Sequence, residues 1–285
     1  MTDTLDPRLT PARPDLASEA LRGRVQAERF VTGIPHLVVW GRAPVRKAGH
    51  VDAPLMTELL FGESVTVFDE ADGFAWAQAG RDGYVGYVPA AALEPGAARP
   101  SHRLTVRQGH LYPQPDIKHP PRIRVYYGAR LCAASAGSTD RFLKLAGGDY
   151  VPLQHVAPID QRGDDPVAVA ERFLGTPYLW GGGSAEGLDC SALIQIAYDA
   201  CGRAIPRDSD LQWSALKPRA QTVDKAQARR GDLAFFPGHV GVMVDDRHLL
   251  HANATHMAVT VDPLDTVIGW VARDHADPFH GLLRV

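Results

Sequence analysis

Residues 175–202 read GTPYLWGGGSAEGLDCSALIQIAYDACG, a glycine-rich loop that runs into an apolar helix at Cys190. Leu193, Ile194, Ala197 and Ala200 recur at helical spacing, and Gly202 supplies the stop. A thiol at the first turn of a helix feels the positive end of the helix dipole, which favours the thiolate a nucleophile needs. A lone cysteine is more often a small core residue. The three glycines at 181–183 tip the balance towards chemistry, because a loop without Cβ atoms lets a substrate backbone approach closely.

A nucleophilic thiol needs a base, and two imidazoles stand downstream. His239 opens the apolar run HVGVMV, in which alternation puts His239, Gly241 and Met243 on one face. After the Asp245-Asp246 turn, RHLLHAN predicts a second strand ending near His251. Adjacent antiparallel strands would bring the two rings together, one as base and the other to orient it. Cys190, His239, His248, His251 and His256 show neither CxxC nor HExxH spacing, so no metal and no cofactor is expected.

Working outward, Asp165-Pro166 gives the start signals of a helix that closes at Gly175, with Val169, Ala170, Phe173 and Leu174 on its buried side. Residues 159–165 read as a linker. Before them, IPHLVVW, ELLFGESVTVFDE, GFAWAQA and YVGYVPAAAL are short strands cut by Gly, Asp and Pro. Gly62-Glu63, Trp76 and the run from Gly83 to Pro89 resemble the bacterial SH3-like family. YYGARLCAAS and DYVPLQHV repeat that pattern over 98–160, with Cys132 on a strand as a core residue. The expected organisation is an N-terminal arm over 1–29 (polar, with at most a short helix within 16–28), SH3-like barrels over 30–97 and 98–160, and a catalytic domain over 161–285.

Composition sets outer limits. An apolar share of 45% and a charged share of 22% over 285 residues exclude a largely disordered chain. A net charge of −3 offers no general attraction to nucleic acid or an anionic membrane. Three scattered cysteines make no disulfide framework. No apolar leader is read near the N-terminus, so a cytoplasmic setting is expected.

Taken in order, Thr176-Pro177-Tyr178-Leu179-Trp180-Gly181-Gly182, Leu188-Asp189-Cys190-Ser191, Pro206-Arg207-Asp208-Ser209 with Gln212, Gly231-Asp232-Leu233, Gly238-His239-Val240-Gly241 and His251-Ala252 resemble the NlpC-type family of papain-like cell-wall peptidases. The resemblance implies an α+β papain-like domain with Cys190, His239 and His251 as triad, and Tyr178 with the Cys190 N–H holding the oxyanion. Ala192 departs from the family, which usually carries glycine there. The pairing with SH3-like barrels resembles the γ-D-glutamyl-L-diamino acid endopeptidases. That implies Asp208 and Ser209, and Tyr84 and Glu58 from the first barrel, around the free amine of an N-terminal L-Ala, with Asp189 among the substrate-binding residues. Glu63 competes with Glu58 for its role. Asp208 or Ser209 could instead only cap a helix, in a box completed by Gln212. The implied partner is a small murein peptide, with no nucleic acid and no membrane. An amidase or acyltransferase of the same fold, or a catalytically silent wall-binding protein, stays open as the alternative.

Overall fold

Alternating buried and exposed positions along short strands build the first half of the chain. Seven strands pair antiparallel in the order Leu55–Leu60, Arg42–Arg46, Val85–Pro89, Phe74–Ala79, Ser64–Ala71, Ile34–Val38 and Leu93–Pro95. Their inward positions, Val38, Val45, Leu59, Val65, Ala77 and Val88 among them, form one apolar cluster. The structure is a computed structural model that describes residues 5–285, in two units that meet at Gln161 and Arg162.

Residues 102–158 repeat the plan in shorter pieces, with a second cluster around Leu104, Leu111, Val125, Leu131 and Val151. The repeat is visible in the backbone bonds. Gly62 N–H donates to Val38 O and Val38 N–H to Glu63 O, while Gly128 N–H donates to Leu104 O and Leu104 N–H to Ala129 O. Both glycines take positive φ, 75° and 91°. Gly62 has a second reason to lack a side chain, since a Cβ there would lie 1.9 Å from the Arg130 carbonyl oxygen. Phe61 packs against the second cluster from the same turn. Cys132 lies just past the strand Arg130–Leu131, half-buried, not on a strand as expected.

The expected polar arm is corrected. Leu16–Ser18 pairs in parallel with Arg29–Val31, and Leu16 and Ala17 are buried. Between them stands a single 3-10 turn, Glu19–Leu21, where a longer helix was expected. Arg13 lies 4.4 Å over the Trp76 ring and pairs with Asp69 at 2.6 Å. The Val85 N–H donates to Arg8 O at 2.7 Å. Residues 8–31 are thus fastened to the first sheet. The part of the expected arm over 1–4 lies outside the described residues.

The second unit carries helices α1 (Pro166–Glu171), α2 (Cys190–Ala200), α3 (Ser209–Leu216) and α4 (Leu264–Val271). Its sheet has six strands: β1 (Gln221–Val223), β2 (Leu233–Phe236), β3 (His239–Met243), β4 (His248–Asn253), β5 (Ala258–Pro263) and β6 (Gly281–Arg284). The order is β1-β6-β2-β3-β4-β5, all antiparallel. Asp165 caps α1 by accepting the N–H groups of Val167 and Ala168. Phe173 is buried as expected, but Leu174 is exposed and Val167 takes a place on the buried side. The long helix α2 packs along α1 and across β3 and β4, which sets its first residue beside the start of β3.

Candidate active site

The nucleophile is positioned by its neighbour. Asp189 is the N-cap of α2, and its Oδ1 accepts the Ala192 N–H at 2.8 Å and the Ser191 hydroxyl at 3.2 Å. Its Oδ2 accepts the Gly181 N–H at 3.0 Å. Arg207, only 1% exposed, closes the cluster with a two-pronged pair to Asp189 at 2.9 and 2.6 Å and a bond to Ser191 Oγ at 2.9 Å. Five donors on one carboxylate leave it no lone pair for a ligand. The expectation of Asp189 as a substrate contact is therefore corrected, because it anchors the helix that presents Cys190. The glycine loop is reassigned in the same way. Gly181 has φ of 74°, and a Cβ on Gly182 would lie 2.4 Å from the Gly187 oxygen. These two glycines let the loop fold back on itself and reach the cap.

Cys190 is buried, and the Val240 N–H, next in sequence to His239, reaches its thiol. Burial pushes that thiol up to about 12, Asp189 adds to the rise, and the Val240 N–H, Arg207 and the Ser191 N–H oppose it. The thiol therefore rests protonated, against the expectation of a thiolate stabilised by the helix end. Desolvation outweighs the dipole here. The other cysteines, Cys132 and Cys201, are half-buried.

The strand register brings the imidazoles together. β3 and β4 pair Val242 with Leu250 and Met243 with Leu249, which sets His251 across from Gly241 and diagonal to His239. His239 Nε2 and His251 Nδ1 lie 2.7 Å apart. Burial, then the neighbouring His251, lowers His239 to about 3, so its ring is neutral at rest. His251 is lowered by burial, while Asp262 pulls it back up. Gly241 makes room for the pair, since a Cβ there would lie 2.8 Å from Leu249 Cγ and 3.0 Å from His251 Cβ.

Sequence reasoning missed what stands behind His251. Asp262 Oδ2 lies 3.2 Å from His251 Nε2 and accepts the Thr260 hydroxyl at 2.5 Å. His256 Nε2 lies 3.2 Å from its other oxygen. Asn253 accepts the His256 N–H on Oδ1 and donates to Thr260 Oγ1 at 2.8 Å. Alternation in AVTVD puts Thr260 and Asp262 on one face, and the register, with Thr260 opposite His251 and Asp262 opposite Leu249, turns that face towards His251. A cleft of about 230 Å³ lined by His239, His251, Asn253, Thr255, Trp270 and Asp274 opens onto this row.

Tyr178 is half-buried beside the nucleophile. Burial, and then the nearby Cys190 and Asp189, push its hydroxyl above the usual range, so it stays a donor. Asp208 occupies the N-cap position of α3 but makes no side-chain cap, and Ser209 is the first helical residue. Gln212, fully buried, donates to Ser191 O and Pro206 O, so the capping box is absent. In the first unit Glu58 is buried and paired with Arg42. Glu63 accepts the Leu60 N–H and pairs with Arg81 at 2.9 Å, which occupies it in its own turn. Tyr84 is 2% exposed within the first apolar cluster. Among the described residues no group of His, Cys, Asp and Glu is arranged to hold a metal.

Residues 175–273 match the NlpC/P60 family, and residues 45–93 match the bacterial dipeptidyl-peptidase SH3 domain. A relative from Bacillus cereus, gamma-D-glutamyl-L-lysine dipeptidyl-peptidase, is 28% identical over 74% of this chain and 71% of its own. Dipeptidyl-peptidase 6 of Lysinibacillus sphaericus is 27% identical over 75% of this chain and 85% of its own. A crystal structure of an NlpC/P60 family protein from Bacillus cereus aligns with a TM-score of 0.73 over 88% of this chain and 99% of that one. At 23% identity it speaks for the fold: a papain-like domain behind an SH3-like all-β one.

Proposed function

Since this chain is a cysteine peptidase of the NlpC/P60 cell-wall type, joined to a bacterial dipeptidyl-peptidase SH3 domain, we propose that it cuts the bond between γ-D-Glu and the diamino acid in free murein peptides that begin with an unblocked L-Ala. The observation that carries this reading is the Cys190–His239–His251 row beside the Tyr178 hydroxyl, on a chain whose relatives bear the name γ-D-glutamyl-L-lysine dipeptidyl-peptidase.

The chemistry follows from the resting charges. A neutral thiol and a neutral imidazole call for general-base attack: the sulfur bonds to the γ-carbonyl carbon as its proton moves to His239. The oxyanion forms beside the Tyr178 hydroxyl and the Cys190 N–H, a stabilisation worth about 3–4 kcal/mol per well-placed donor. His239 then gives its proton to the leaving diamino-acid amine. Water, deprotonated by the same ring, releases L-Ala-γ-D-Glu. Within the catalytic unit, Asp208 and Ser209 are proposed for the free ammonium. An acid that meets an ammonium away from water discriminates against a blocked amine, which would leave its charge unpaired.

The test is to incubate the protein with L-Ala-γ-D-Glu-L-Lys and the diaminopimelate equivalent, and with their N-acetylated forms, and to follow products by mass, using Cys190→Ala as the blank. Release of L-Ala-γ-D-Glu from free peptides only supports the reading. Equal rates on free and acetylated peptides would remove the amine contact, and no cleavage of either would remove the substrate class.

A further inference from the structure

We infer that Asp262 is a positioning residue that fixes the tautomer of His251 and, through it, selects the nitrogen with which His239 takes the Cys190 proton. The assignment starts at the carboxylate. Asp262 Oδ2 and His251 Nε2 are 3.2 Å apart, and two lone pairs facing each other at that distance would repel, so the proton sits on Nε2. Asn253 Nδ2 lies equally close to Nε2, at 3.2 Å, and a bond to it would need a lone pair there. The His256 N–H on Oδ1 fixes which way the amide faces, and both its hydrogens have oxygen partners, Thr260 Oγ1 at 2.8 Å and the Ala258 carbonyl at 3.4 Å, so neither needs a lone pair on Nε2. The Thr260 hydroxyl gives its proton to Asp262 at 2.5 Å, which holds the carboxylate to this task.

With Nε2 protonated, His251 offers a lone pair at Nδ1. His239 Nε2, 2.7 Å away, must then be the donor, and its lone pair is left at Nδ1 for the thiol. Each proton in the row is thus set by the one behind it, with the carboxylate at the far end. When the Cys190 proton arrives on His239, the Asp262 charge also favours the resulting imidazolium, through His251. His256, whose ring lies 5.4 Å from that of Trp270, braces the other oxygen of Asp262 at 3.2 Å. Asp262 lies a full residue beyond the triad and touches no reacting atom. The Asp262 carboxyl is held below the usual range; burial alone would raise it, and the bonds from Thr260 and His251 outweigh that effect.

The inference rests on the cysteine-peptidase chemistry, not on the identity of the peptide, so one arm of its test uses no peptide. In Asp262→Asn the amide can donate to Nε2 and impose the opposite tautomer on both rings. The expected result is a fall in kcat of about 10- to 100-fold with KM unchanged, by analogy with other groups that orient a catalytic ligand or base. The rate of iodoacetamide alkylation of Cys190 at neutral pH should fall in parallel, because the thiol then gives up its proton to His239 less readily as the sulfur attacks. Asp262→Ala should lose less than Asp262→Asn, since alanine imposes no tautomer. ¹⁵N shifts of the imidazole nitrogens should report His251 as the Nε2–H form in the wild type and as the Nδ1–H form in Asp262→Asn. A wild-type His251 in the Nδ1–H form would overturn the inference. So would an alkylation rate that stays unchanged while kcat falls.

Discussion

Replacing Arg207 by methionine separates the anchoring of the nucleophile from its chemistry. The substitution keeps an apolar stem of similar length and removes the guanidinium that meets Asp189 at 2.9 and 2.6 Å and Ser191 Oγ at 2.9 Å. Asp189 then stays buried and charged, with only the Gly181 and Ala192 N–H groups and the Ser191 hydroxyl around it. Breaking one side of a buried ion pair costs about 3–5 kcal/mol. The unit from Arg162 to Val285 has about 120 residues. At about 2.1 cal/mol/K per residue its unfolding entropy is near 250 cal/mol/K, so each kcal/mol moves its melting point by about 4 °C. The expected loss is therefore about 12–20 °C. Scanning calorimetry measures it, and the transition that belongs to this unit is the one the Arg207 substitution moves. Asp189→Asn in the Arg207→Met background removes the stranded charge and should recover part of the loss. A double-mutant cycle therefore shows strong coupling. A melting shift below about 4 °C for Arg207→Met, or additive effects in the cycle, would refute the anchoring role.

Stability should fall with acid. The folded pKa of His239 is lowered to about 3 by burial, while an unfolded histidine titrates near 6.5. Between those values the unfolded chain holds the extra proton, so this contribution is complete above about pH 6.5 and is lost towards pH 3, at up to about 1.4 kcal/mol per pH unit. Urea midpoints against pH measure it, and a His239→Gln variant with the same slope would count against the assignment. Tyr178→Phe should lower kcat by about 100- to 1000-fold with little change in fold, since only the oxyanion donor is lost; steady-state kinetics decide. Gly241→Ala should depress activity more than stability, because the new Cβ would fall 3.0 Å from His251 Cβ and turn that ring away from His239. An unimpaired kcat would show that the ring has other room.

What could be read from the sequence is what acts locally along the chain. Cys190 announces itself through helix periodicity after a glycine loop, and His239 and His251 through alternation on two strands joined by an acidic turn. What escaped depends on contacts across the chain. Asp189 and Arg207 are 18 positions apart in sequence and meet only once α2 and α3 are folded. Without that meeting, an acid next to a nucleophile reads as a ligand for substrate. Asp262 depends on the register of β4 against β5: a slip of one residue would turn it to the opposite face, and no local signal fixes that register. The segment from Arg8 to Val31 was misread for a similar reason. Its prolines and charges suggest a solvated arm, yet Arg13 is held by Asp69 and Trp76, partners more than fifty positions away. Burial had the same effect on the thiol. Helix position alone argues for a lowered pKa, but the enclosure of Cys190 by α2 and β3 is a tertiary property, and desolvation reverses the sign. A nucleophile that rests neutral depends on its base at the moment of attack. The groups that orient His239 therefore bear on the rate itself, and those groups sit on strands that local pattern reading does not pair.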